Sequence, residues 1–123
     1  MHKSIATVIA FVALGCAGSY PVPSQDLANA QSATRSAAEI GADTQPKAQL
    51  HLSLARDQIA QANAAIKDGD NERASSLLVR ARADAELAIA MTRNQGAKVQ
   101  SQTATDQSNA QRTTNVNQQG AAQ

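Results

Sequence analysis

Along the middle of this chain apolar residues recur at steps of three and four. Between residues 24 and 40 they are Leu27, Ala30, Ala33, Ala37 and Ile40, which share one face if the segment is helical. Between 45 and 67, Ala48, Leu52, Ala55, Ile59, Ala62 and Ile66 alternate steps of four and three, a heptad seam of the coiled-coil kind. Leu50 and Leu54 open a second strip beside that seam, as a middle helix with neighbours on two sides requires. Between 70 and 94, Ala74, Leu78, Ala81, Ala85 and Ala88 form a third seam, flanked by Leu77, Leu87 and Met91.

The breaks between these segments carry stop and start signals. Ser24 is placed to cap the first helix, with Asp26 in its first turn, and Gly41 ends it. Thr44 is placed to cap the second, with Pro46 in the first turn, where a missing N–H costs nothing. Asp68-Gly69 stops that helix, and Asp70 caps the third with Glu72 near the positive end of its dipole. Such short connections force antiparallel neighbours. The pattern predicts an all-α fold over 24–94, with helices at 24–40, 45–67 and 70–94. The last two form an antiparallel hairpin about 35 Å long, and the first lies alongside to make an alanine-rich, coiled-coil-like three-helix bundle. From Gln95 the pattern dissolves. The segment 100-QSQTATDQSNAQRTTNVNQQGAAQ-123 holds one large aliphatic residue, Val116. Residues 95–123 are therefore expected to be a disordered polar tail.

The N-terminus reads differently. Met1-His2-Lys3-Ser4 is a short positive stretch, and Ile5 to Leu14 is an apolar run, too short for a membrane-spanning helix of about 20 residues. This is the form of a secretory signal over residues 1–15. Ala13-Leu14-Gly15-Cys16 resembles the lipobox of bacterial lipoproteins, with Leu14 one place later than the usual leucine. The resemblance implies cleavage between Gly15 and Cys16 and lipid on the Cys16 sulfur, whose thiolate is the nucleophile. Ala17 in place of an aspartate then implies the outer membrane, on its periplasmic face. Residues 16–23 become the lipidated cysteine and a proline-containing extended linker. The other reading is an ordinary signal cut after Gly15 or Ala17, which leaves a soluble periplasmic module.

Composition sharpens this picture. The chain has 123 residues, 42% of them hydrophobic but only 2% aromatic. A core made mostly of alanine buries little area, so a domain of this size is marginal alone and self-association is a natural expectation. There are 11 basic and 10 acidic residues; removing Lys3 with the signal leaves them equal. Without a basic cluster and interleaved aromatics, nucleic-acid binding is not expected.

Chemistry is sparse. Cys16 is the only cysteine, and no Cys/His grouping suits a metal. His51, the only histidine beyond the signal, reads as a half-exposed flank residue with alanine four positions on. Asp68, Asp70 and Glu72 around Gly69 lack EF-hand spacing and read as a capped turn. Arg35/Glu39, Arg80/Asp84 and Arg82/Glu86 stand four apart, suited to exposed ion pairs. Ser75-Ser76 reads as ordinary helix surface. No catalytic residues, cofactor site or metal site are expected, and the chain is read as a non-enzyme.

Five segments stand together in this order: Leu27-Ala28-Asn29-Ala30, Ile40-Gly41-Ala42 before Pro46, Leu54 to Ala62, Asp68-Gly69-Asp70 and Ala81 to Ala88. With them the chain resembles an uncharacterised bacterial family, the domain of unknown function numbered forty-three ninety-eight. Members are short alanine-rich envelope lipoproteins, some fused to an OmpA-like peptidoglycan-binding domain. Where they carry an aromatic before the turn proline, this chain has Thr44-Gln45. The segment 69–74 also looks like the hairpin turn of tetratricopeptide repeats, in one copy. The resemblance implies address and fold, with no activity attached. The resulting expectation is a lipid-anchored scaffold or adaptor whose partners are the membrane, an envelope protein or peptidoglycan, or a second copy. The alternative is a soluble periplasmic binding or chaperone-like module.

Overall fold

The helices meet through alanine. In the computed structural model, which describes residues 20–121, the chain forms α1 (Ser24–Glu39), a single 3-10 turn (Ala42–Thr44), α2 (Pro46–Lys67) and α3 (Asn71–Gly120). The described residues contain no strand. Helices α2 and α3 pack as the antiparallel hairpin. Helix α1 lies against that hairpin and touches α3 far more than α2. The middle position thus belongs to α3, not to α2, and the second apolar strip of α2 has no helix on it. Leu50 remains 58% and Leu54 38% exposed.

The third seam is buried as expected at Ala74, Leu78, Ala81, Ala85 and Ala88, and it continues to Thr92. On α2 the buried set is Ala48, Leu52, Ala55, Ala62 and Ala65, with Ile59 and Ile66 only half-buried. In the last turn of α2 it is Ala65 that is buried, while Ile66, one position on, packs against the same cluster only half-buried. On α1, Ala30, Thr34 and Ala37 are buried, while Ile40 is 40% exposed. Thr34 and Thr92 satisfy their buried hydroxyls by donating to the carbonyls of Ala30 and Ala88, at 2.7 and 2.9 Å. Among the described buried apolar side chains, only Leu52, Leu77 and Leu78 are larger than alanine.

The helix ends follow the sequence in part. Ser24 is the first helical residue rather than the cap: Pro23 holds the cap position, and its carbonyl accepts from the Leu27 N–H at 3.0 Å. Thr44 does not cap α2 either. Its hydroxyl donates to the Gly41 carbonyl at 2.7 Å, Gln45 takes the cap position, and Pro46 stands at the start of the helix. The threonine hydroxyl is turned back onto the preceding turn, and no side chain caps α2. Gly41 and Gly69 adopt φ of 85° and 79°, the left-handed conformation that ends a helix most cheaply at glycine. After α2 the Gly69 N–H reaches Ile66 O at 3.1 Å and the Asp70 N–H reaches Ala65 O at 2.9 Å, a full Schellman motif. Asp70 caps α3 as expected, accepting from the Arg73 N–H at 3.1 Å.

Over residues 95–120 the structure departs from the expected disordered tail: α3 runs unbroken for 50 residues. Extending a helix that already exists needs no new nucleus and adds one backbone hydrogen bond per residue. The segment nonetheless packs on nothing, and every residue from Arg93 to Ala121 is exposed. Over these residues the sequence correctly excludes a core but not helicity.

Candidate functional site

Two regions of the bundle carry polar chemistry. The first joins α2 to α3. The His51 ring Nδ1 lies 2.8 Å from Asp84 Oδ1, and the Gln58 amide donates to Asp84 Oδ2 at 2.8 Å. The His51 and Asp84 side chains are about four-fifths covered. His51 and Gln58 lie seven residues apart on α2, so two turns of helix place both above one carboxylate of the facing helix. Asp84 is thus committed across the interface and not to Arg80, whose Nε instead donates to the Ser76 carbonyl at 3.3 Å. The expected Arg35/Glu39 pair does not form either, whereas Arg82/Glu86 does, at 2.7 Å. Among the described residues, Asp84 is the one hydrogen-bond partner of the His51 ring. The arrangement is a cross-helix clamp. No local signal announced it, since its partners are 33 and 26 positions apart. Its one flaw is Gln58 Oε1, shut off from solvent without a partner.

The second region is the junction with the N-terminal linker. Asn71 donates from its side chain to the Tyr20 carbonyl at 2.8 Å, and Ser75 donates to Asp26 at 3.0 Å. Ser75, read from the sequence as plain surface, therefore ties α3 to α1. These contacts fix where the linker meets the bundle: beside the Asp68-Gly69-Asp70 turn. Asp68 and Asp70 belong to that turn as expected, and among the described residues no group of three His, Cys, Asp or Glu side chains is arranged to hold a metal.

At the opposite end, the first turn of α2 and the exposed stretch of α3 enclose an open groove of about 530 Å³. Its walls include Pro46, Lys47, Met91, Gln95 and Lys98. Of the apolar residues outside the seams, Leu77 is buried, Met91 is half-buried and Leu87 is 40% exposed. Gly15 and Cys16, where cleavage and lipidation are expected, lie outside the described residues, as does the whole of 1–15. Within the described residues no helix is long and apolar enough to cross a membrane.

A family model described as Domain of unknown function (DUF4398) matches residues 25–119, well over half of the chain. The match takes in the exposed stretch of α3 as well as the bundle. Neither the curated proteins nor the solved structures contain a match to this chain.

Proposed function

This chain belongs to the family of unknown function DUF4398, and on that premise we propose that it is a lipid-anchored envelope protein that acts as a non-catalytic scaffold or adaptor. The lipid is carried by Cys16, exposed when the signal is cut after Gly15, and the outer membrane's periplasmic face is its address. The observation that carries the reading is the opposition of the two ends. The linker is held beside the α2–α3 turn by the Tyr20–Asn71 bond, four residues after Cys16. Helix α3 starts at that end, runs the length of the bundle and continues past it. From Arg93 to Gly120 the exposed part adds about 40 Å. A protein held at one end with a rod leaving the other is built to place something at a distance from its anchor, an envelope protein or peptidoglycan.

Two or more membrane signals are needed for stable attachment, each buried CH₂ contributing about 0.8 kcal/mol. The acyl chains of a lipidated Cys16 meet that requirement without help from the bundle. Replacing Cys16→Ala and fractionating cells tests the anchor. The expected outcome is loss of the acyl mass and release from the membrane fraction; unchanged association refutes the proposal. A soluble periplasmic binding module is the second reading, favoured by the exposure of Leu50, Leu54 and Leu87. It predicts a native protein without fatty acid.

A further inference from the structure

The hairpin of α2 and α3 has two grooves, and α1 fills only one. On the other side, Lys47, His51, Leu54 and Gln58 recur on α2 at steps of four, three and four. Facing them on α3 are Arg80, Asp84, Leu87, Met91 and Lys98, also at helical spacing. These two rows are neighbours in space: Asp84 holds both His51 and Gln58 at one level, and Lys47, Met91 and Lys98 share the walls of the end groove. Leu54 lies between His51 and Gln58 along α2, and Leu87 follows Asp84 by one turn. Both leucines stay more than one-third exposed.

The charges on this strip have one sign. Lys47, Arg80 and Lys98 form no ion pair with any described residue. The sole carboxylate in the two rows is Asp84, already occupied by the clamp. The strip is therefore an apolar centre between unpaired cations, running about 27 Å from Arg80 to Lys98. Single-signed charge around an apolar centre selects partners of opposite sign and rejects like-charged ones.

We infer that this strip is the docking groove for an acidic amphipathic helix of a partner protein, of roughly 18 residues. Seated there it makes the bundle four-helical: its apolar face covers Leu54 and Leu87, and its carboxylates meet Lys47, Arg80 and Lys98. This gives the adaptor reading its partner and rests on that reading.

The test uses the full chain in its native envelope, with a photo-crosslinking amino acid placed at Leu54 or at Leu87. Val79, 60% exposed and off the strip, serves as the control site. The expected result is adducts from positions 54 and 87, absent from 79, that mass spectrometry maps to one acidic helical segment of another protein. The double variant Lys47→Glu/Lys98→Glu lowers their yield roughly tenfold while its circular dichroism melt is unchanged. Adducts on phospholipid or on a second copy of this chain overturn the inference, as do adducts equal to those at Val79 or indifferent to charge reversal. The anchor is judged separately. A Cys16→Ala chain that stays on the membrane refutes the lipid reading alone, and missing adducts on a properly anchored chain refute the groove alone.

Discussion

Asp84 is the residue on which the α2–α3 interface turns, because one carboxylate satisfies two side chains of the facing helix. Removing it as Asp84→Ala leaves His51 and Gln58 without a partner in a mostly covered site. The expected cost is about 1–3 kcal/mol, read as a lower urea midpoint at unchanged slope. Glu86→Ala, by contrast, breaks an ion pair whose side chains are both more than half exposed, and is expected to shift stability by no more than about 0.5 kcal/mol. Alanine is as specific a choice as aspartate here. Ala81 and Ala85 are fully buried where two helices meet, so Ala81→Leu overfills the interface and is expected to cost about 1–3 kcal/mol. Of these residues, the buried alanines were legible from spacing alone. The role of Asp84 was not, because its sequence neighbour Arg80 offered a plausible partner and its real ones belong to another helix.

Helices in this molecule are stabilised unequally along their length. In α3 the first six turns are packed through Ala74, Leu78, Ala81, Ala85, Ala88 and Thr92, and the remainder is exposed. That remainder is rich in threonine, serine, asparagine and glutamine. The hydroxyls of Thr103, Thr105, Thr113 and Thr114 all bond carbonyls one turn back, which competes with the backbone ladder. A helix without a packed face depends on propensity and on the packed turns it extends from, so it opens more readily toward its free end. Amide exchange is therefore expected to be fast after about Gln95 and slow from Ala74 to Ala88. Ending the chain at Gln95 is expected to leave bundle stability within about 0.5 kcal/mol. Strong protection beyond Val99 in the purified protein would contradict this. At the α2–α3 turn, Gly69 has φ of 79° with nothing within 4 Å of an added Cβ. Gly69→Ala thus costs conformational strain alone, about 1–2 kcal/mol.

As a whole molecule the bundle is held by close approach rather than by bulk. With three leucines as its only large buried side chains among the described residues, a packed unit of this size supplies about 3–5 kcal/mol at most. Chemical denaturation is expected to return a value in that range. Each additional helix seated on the α2–α3 hairpin buries more apolar area, at about 25 cal/mol per Å². An occupied strip is therefore expected to raise the melting temperature, and the partner segment identified by crosslinking provides the measurement.

The sequence by itself determined the helices, their seams, the two glycine turns and the antiparallel hairpin, because these depend on periodicity and on backbone conformations readable a few residues at a time. Its short apolar run closed by Gly15-Cys16 is the feature on which the proposed anchor rests. Only the tertiary structure decided that α3 and not α2 is the central helix, and that His51, Gln58 and Asp84 share a clamp. It likewise decided that α3 continues past the bundle and that one side of the hairpin is left open. Those facts depend on how helix faces rotate against one another and on what is left uncovered once they have packed. Helical spacing fixes which residues share a face, but which helix that face meets is settled only when the faces pack.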